Sequence, residues 1–338
     1  MIFITGANGW LGLNLVKSIV EGKTKEWGLD HDKITALILP GTDTKDLLKI
    51  SKKINIFEGD LLNESDTDSF LSKSSDSILF HIAGIIHPRN VSQFYDINFE
   101  GTKKIIQSAT KSKIKKMIIM SSNSPCGCNP NKDHLFDESS PYNPYMHYGR
   151  SKMKMELFAQ KHFDKGLLDL TIIRSPWFYG PYQPPRQKLF FEMIRNGNLP
   201  IVGDGENKRS MAYVENIVQG MILSATKEIS SGKTYWIADE SPYTMNQIVD
   251  TIKELFDKKF NIKCSNKRIN LPDFISYFAE KVDFTVQGLG FYHKKIHVLS
   301  EMNKNIACSI NLAKKELSYN PKYDLQTGMF NSLFEIYG

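Results

Sequence analysis

Tyr148 and Lys152 stand four residues apart in Tyr148-Gly149-Arg150-Ser151-Lys152, a spacing that a helix places one turn apart on a single face. An ammonium beside a phenol favours the phenolate, so this pair is expected to lower the Tyr148 pKa and equip it for proton transfer. Ser121 and Ser122 follow the apolar run Met117 to Met120, about 26 residues upstream of the tyrosine, and Ser124 is close behind. Three hydroxyls are therefore candidates for the same cleft. A second set of residues suits an anion. The segment Ile2-Phe3-Ile4-Thr5-Gly6-Ala7-Asn8-Gly9-Trp10-Leu11-Gly12 places a TGxxGxxG pattern directly after a strand and at the start of a helix. There Gly6 permits a tight turn, Gly9 lets the backbone approach a pyrophosphate, and Gly12 allows close helix packing, while the helix N-terminus offers free N–H groups. The strand–turn–helix context raises the glycine pattern above noise, and the Tyr/Lys spacing, a common accident alone, becomes specific beside it.

The elements that must position these residues are legible as alternating short apolar runs and amphipathic segments, the pattern of βαβ units and a parallel sheet. Strands are predicted at Ile2 to Thr5, Ile34 to Leu39, Ile54 to Phe57, Ser77 to Ile82, Lys116 to Met120 and Asp169 to Ile173. Helices are predicted at Leu11 to Glu21, Val91 to Thr110 and Tyr148 to His162. The fold class is α/β, a doubly wound parallel (Rossmann) sheet with a smaller mixed α/β substrate domain. The division expected is 1–175 for dinucleotide binding, carrying Tyr148 and Lys152, and 176–338 mainly for substrate, with some segments returning to the first domain. In the second part, Thr244 to Phe256 reads as a helix and Thr234 to Ala238 as an isolated strand.

With these motifs in place, the chain resembles the extended short-chain dehydrogenase/reductase family of the NAD-dependent epimerase/dehydratase type over nearly its whole length. The resemblance implies that Ser122, Tyr148 and Lys152 form the catalytic set. It also implies that Asp60 and Leu61 contact the adenine end of the cofactor, that Ala83 and Gly84 pass along it, and that Asn98 in Asn98-Phe99-Glu100-Gly101-Thr102 belongs to the site. Gly6, Gly9, Trp10, Leu11 and Gly12 would cradle the dinucleotide, with Ser175 and Pro176 of Arg174-Ser175-Pro176-Trp177-Phe178-Tyr179-Gly180-Pro181 flanking the nicotinamide. Ser122, Ser124, Tyr148, Trp177, Lys188 and Arg209 would meet the substrate, Arg209 through charge-assisted bonds to a diphosphate. His81 and Asn98 could equally serve only to satisfy backbone groups. Related chains commonly pair the two helices Val91 to Thr110 and Tyr148 to His162 into a homodimer, so a homodimer is expected.

Dehydratases of this family carry Asp-Glu directly after the catalytic hydroxyl, where this chain has Asn123-Ser124, so dehydration is not expected. Reversible hydride transfer at a secondary alcohol or ketone remains, performed once by a ketoreductase and twice by a 4-epimerase. The substrate expected is a nucleotide sugar. The aromatic stretch Leu271 to Tyr292 is also similar to steroid dehydrogenases and dihydroflavonol reductases, whose substrates are apolar, although a packed helix core would account for it equally well. A non-catalytic dinucleotide sensor is the remaining alternative, disfavoured because such sensors lack the Tyr/Lys pair. An acidic residue at the end of the second strand would favour NAD and an arginine NADP; Leu39-Pro40-Gly41-Thr42 supplies neither, leaving a slight preference for NAD.

Composition narrows the rest. A 338-residue chain can bury two cores of ordinary size, and 22 Gly and 14 Pro exclude a collagen-like or disordered chain. The formal charge of +6 suits anionic small substrates; the densest basic stretch, from Lys103 to Lys116, lacks aromatics that stack on bases, so no nucleic acid is expected. Cys126, Cys128, Cys264 and Cys308 fit neither a disulfide framework nor a metal knuckle. No apolar run approaches the ~20 residues that span a bilayer. The first strand begins at Ile2, leaving no room for a signal peptide. A cytoplasmic location with no membrane partner is expected.

Overall fold

The computed structural model describes residues 1–30 and 33–338. Strands β1 (Ile2–Thr5), β2 (Ile34–Ile38), β3 (Asn55–Glu58), β4 (Ile78–His81), β5 (Lys116–Ser121) and β6 (Leu170–Arg174) alternate with helices α1 (Trp10–Val20), α2 (Lys45–Ile50), α3 (Glu64–Leu71), α4 (Ser92–Tyr95), α5 (Thr102–Lys111) and α6 (Met146–Asp164). The remainder comprises β7 (Trp177–Tyr179), α7 (Pro185–Arg195), β8 (Pro200–Val202), β9 (Lys208–Arg209), β10 (Met211–Tyr213), α8 (Val214–Thr226), β11 (Thr234–Trp236), β12 (Tyr243–Thr244), α9 (Met245–Phe260), β13 (Ile269–Leu271), α10 (Phe274–Gly288), α11 (Lys294–Glu301), α12 (Asn311–Leu317) and α13 (Leu325–Tyr337).

The central sheet has the order β11-β6-β5-β4-β1-β2-β3, and every pairing in it is parallel. Parallel sheets need cover on both faces, which is why β5, Lys-Met-Ile-Ile-Met-Ser, is buried at every position instead of alternating. One face packs Leu11, Leu15 and Val16 of α1 and Ile217, Met221 and Ile222 of α8 against Ile4, Phe80 and Ile118. The other packs Phe70, Ile105, Ile106 and Met155 against Phe3, Leu79 and Ile119. A third core joins α7, α9 and α13 around Phe191, Phe256, Met329 and the rings of Tyr179 and Tyr213.

Residues Thr234 to Ala238 do not form an isolated strand. β11 adds to the main sheet beside β6, with Thr234 opposite Ile172 and Trp236 opposite Arg174. The signal was too weak to show this: three strand residues mark an extended segment but not its neighbour, which lies some sixty residues earlier in the chain. The order reverses between β1 and β4, and in open α/β sheets the crevice at the carboxyl ends of such strands receives ligands. Gly6, Ala83 and Ser122 all follow those ends, on β1, β4 and β5.

Candidate active site

At the end of β1 the chain turns through Gly6 at φ 76°, and a β-carbon there would lie 2.6 Å from the amide nitrogen of Ala83. A β-carbon on Gly12 would come 2.1 Å from the Gly6 carbonyl oxygen. Both contacts are with backbone and cannot relax, so Gly6 allows the loops after β1 and β4 to touch, and Gly12 lets α1 pack against the loop after β1. Gly9 caps α1 without a side-chain acceptor, which leaves the first-turn N–H groups of Trp10, Leu11 and Gly12 aimed outwards. These donors at a helix N-terminus suit a pyrophosphate, and a dinucleotide fits the cradle. Leu11 can take part only through its backbone, because its side chain is buried in the core. Trp10 also ties the glycine loop to the segment after β7, because its indole N–H lies 3.1 Å from the Gly180 carbonyl oxygen and 2.8 Å from that of Pro181.

The loop after β4 is held by Asn98. Its Oδ1 accepts from the Ile85 N–H at 2.7 Å and its Nδ2 donates to the Ile85 carbonyl at 3.0 Å and to Ser151 Oγ at 3.2 Å. Asn98 lies in a π-helical turn, Asp96–Gly101, between α4 and α5, a geometry common where a helix must aim a side chain at a site. Gly84 is exposed beside it, where a β-carbon would meet Asn98 Oδ1 at 3.1 Å and Lys152 Nζ at 3.5 Å. His81 is bonded on both ring nitrogens, to Thr5 and Thr102 hydroxyls at 2.7 Å each, and burial holds it neutral with a pKa of about 3. The hydrogen bonds of both residues are therefore those of bracing groups. Asp60 is partly exposed; it accepts from the Leu62 N–H at 2.8 Å, while Leu61 packs into the core beneath Gly101.

The three serines separate. The Ser121 hydroxyl donates to Glu156, a fully buried carboxylate that also takes the Arg174 guanidinium at 2.6 Å and the Tyr142 hydroxyl at 2.9 Å. Ser122 instead lies beside the Tyr148 phenol, whose pKa it lowers. The Ser122 oxygen also accepts the Ser124 N–H at 3.2 Å. Helix α6 reaches this loop because position 149 is glycine: a β-carbon there would sit 2.4 Å from the Ser124 carbonyl oxygen.

The charge relation between Tyr148 and Lys152 differs from expectation. Desolvation pushes the Tyr148 phenol up to about 12, against the lowering effect of Ser122, and Lys152 makes no contribution to it. Lys152 is itself buried and brought down to about 8 by desolvation, opposed by Glu156. Its ammonium donates to the Met120 carbonyl at 2.9 Å, at the end of β5, instead of to the phenol. One turn of helix brings the two side chains to one face, but the strand carbonyl takes the ammonium.

Among the residues expected to meet substrate, Trp177 packs edge-on against Phe190 and Lys188 is exposed on α7. Ser175 and Pro176 lie between β6 and β7, Ser175 being buried. Arg209 donates to the Glu301 carbonyl at the end of α11, with its Nε buried and unpartnered. Several groups around Tyr148 had no motif to announce them. Phe94 lies 5.7 Å from the Tyr148 ring and 5.4 Å from Tyr292, and the Tyr292 hydroxyl bonds His87 at 2.7 Å. Arg186 places its guanidinium over Trp10 at 5.8 Å and acts electrostatically on both His87 and Tyr292. Phe94 and Arg186 lie on α4 and α7, and His87 and Tyr292 in the segments after β4 and α10, so sequence proximity could not group them.

The parallel sheet and its glycine cradle are those of a dinucleotide-dependent enzyme. Residues 2–238 match the model of the NAD dependent epimerase/dehydratase family, and the chain belongs to that family. It is 42% identical to the uncharacterised protein y4nL of Sinorhizobium fredii over 98% of this chain and 94% of that one. It is 33% identical to an Escherichia coli O157:H7 N-acetyl-α-D-glucosaminyl-diphospho-ditrans,octacis-undecaprenol 4-epimerase over half of each chain. Among solved structures, the dTDP-glucose 4,6-dehydratase DesIV of Streptomyces venezuelae, crystallised with NAD and TYD, superposes with a TM-score of 0.78 at 20% identity, covering 99% of this chain and 96% of that one.

Proposed function

We propose that this protein transfers hydride reversibly at a secondary alcohol or ketone of a nucleotide sugar, as a 4-epimerase or ketoreductase, with Tyr148 as the acid/base group. The observation that carries this reading is that α6, packed at Gly149 on the Ser124 carbonyl, brings Tyr148 beside Ser122 at the ligand crevice of the sheet. A phenol held near 12 is protonated at neutral pH, so Tyr148 donates its proton to a carbonyl oxygen as that oxygen becomes an alkoxide, and takes one back in the reverse direction. The Ser122 hydroxyl holds the same oxygen. Lys152 fixes α6 to the end of β5 and adds positive charge near the developing oxyanion. The dinucleotide, when bound along Gly6, Gly9, Gly12, Gly84 and Asp60, supplies the hydride acceptor or donor.

NAD is preferred over NADP. Asp43, just past β2, is tied to the glycine loop by its backbone carbonyl, which accepts from Asn8, while its carboxylate accepts the Lys45 N–H at 2.9 Å; an acid in this segment opposes a second phosphate. Asn123-Ser124 after Ser122 still argues against dehydration. Arg186 and Arg209 suit a diphosphate, and the name of the E. coli relative likewise describes a sugar carried on a diphosphate. Phe94 and Tyr292 beside Tyr148 favour a second reading, an apolar alcohol or ketone. Native mass spectrometry of purified protein and turnover of a panel of UDP- and dTDP-sugars test the proposal. Retained NAD with interconversion of C4 epimers is expected; turnover of steroid-like ketones alone would overturn the sugar reading.

A further inference from the structure

Helix α10 is built inside out. Its buried face carries Ser276, Asp283 and Gln287, while Phe274, Phe278 and Phe284 are 64%, 69% and 60% exposed. A core-facing helix has the opposite distribution. The packed-core account of the Leu271 to Tyr292 aromatics therefore does not hold. The polar side is turned inwards because it has partners there. The Ser276 hydroxyl bonds the carbonyls of Leu299 and Ser300 in α11, Asp283 accepts from His297 at 2.7 Å and from Gln287 at 2.9 Å, and Gln287 accepts the His147 N–H at 3.2 Å. These bonds set the rotation of α10 and commit its aromatic side to the outside. Leu289 and Phe291 extend that side at 71% and 66% exposure. A contiguous apolar surface of this kind marks a docking site.

We propose that this face docks on an anionic membrane surface. Three observations select that occupant. At 100° per residue, Lys281 falls at the centre of the aromatic face, between Phe278 and Phe284, and it is exposed. In a protein contact its ammonium would be stranded among rings, whereas at a bilayer its stem lies along the apolar boundary and its head reaches the lipid phosphates. Secondly, Lys294, Lys295 and Arg89 are exposed at the rim, with Arg89 beside the Asn90–Phe291 bridge. That basic rim complements anionic headgroups, while a two-fold contact with a second copy would bring the same cations together. Thirdly, α10 presents its aromatic side over 15 residues with Lys281 among the rings, the form of an amphipathic helix that lies in the interface plane. The expectation of no membrane partner is replaced, on this proposal, by peripheral attachment. The surface adjoins the candidate active site through Tyr292 and the Gln287–His147 bond, so docking would present the cleft towards the bilayer.

Flotation of the full chain with vesicles of phosphatidylcholine alone, or of equal parts phosphatidylcholine and phosphatidylglycerol, tests the proposal. The wild-type protein is expected to float with the mixed vesicles and much less with the neutral ones. Phe278→Ser with Phe284→Ser, and separately Lys281→Glu with Lys295→Glu, should each reduce that binding about tenfold or more, with circular dichroism unchanged. Failure of the wild type to float, or equal binding by the variants, would overturn it. Loss of a dimer on sedimentation of the Phe278/Phe284 variant, without vesicle binding by the wild type, would assign the face to a second copy instead.

Discussion

Ser121 and Ser122 differ by one position on a strand end, and that one position sends them to opposite sides: Ser121 to the buried Glu156–Arg174 pair and Ser122 to the Tyr148 phenol. Tyr148→Phe removes the proton and little else, so turnover should fall by about 100-fold or more while dinucleotide affinity stays near wild type, as read by kcat and by titration of NAD. Retention of a tenth of the rate would assign the proton to another group. Lys152 allows a stability test. Its folded pKa of about 8 lies below the ordinary 10.5, a difference equivalent to roughly 3 kcal/mol against folding when the ammonium is charged in both states. The unfolded chain binds the proton more tightly, so this penalty is full below pH 8 and fades as pH rises towards 10.5. Lys152→Met should therefore unfold at a temperature equal to or above the wild type at pH 7, with the difference moving in favour of the wild type between pH 8 and 10, although its turnover is lost. A large fall in melting temperature at pH 7 would show that the Met120 hydrogen bond outweighs desolvation.

At the scale of elements, the approach of α6 to the loop after β5 sets the site. Gly149 meets the Ser124 carbonyl with no room for a methyl, and the Tyr145 N–H bonds that same carbonyl at 3.0 Å. Gly149→Ala, usually favourable inside a helix, is expected here to destabilise the fold by about 1–3 kcal/mol by overpacking against backbone. It should also lower kcat by separating Tyr148 from Ser122, with dinucleotide binding less affected because the glycine loop lies on β1 and α1. Chemical denaturation and steady-state kinetics on the same variant check both effects; a stabilised, fully active Gly149→Ala would refute the close approach. The three helix predictions in the first half agree with the structure except that Val91 to Thr110 is divided by the π-turn that aims Asn98.

For the whole molecule, we propose a homodimer formed by α4, α5 and α6. Leu157 is 49% exposed on α6, next to the Phe99–Phe158 ring pair, and Lys154 covers the rings of Tyr95 and Phe99 from the same side. Light scattering should give twice the 38.6 kDa chain mass, and Leu157→Glu should return the protein to monomer. A wild-type monomer at micromolar concentration would exclude the dimer.

The sequence by itself determined the parallel sheet and the tight glycine turns, because strand runs, helical periods and glycine turns are governed by neighbours a few residues away. It placed Gly6 and Tyr148 in one site only through a family pattern, since Gly6 follows β1 and Tyr148 lies on α6, after β5. The tertiary structure decided what depends on environment. Desolvation raised Tyr148 and lowered Lys152, the Met120 carbonyl took the ammonium, Glu156 removed Ser121 from the site, and β11 found its place beside β6. It also decided the direction of α10: the aromatics were visible in the sequence, but whether they face inwards or outwards depended on where the buried partners of Ser276, Asp283 and Gln287 lie, and those partners belong to α11 and α6.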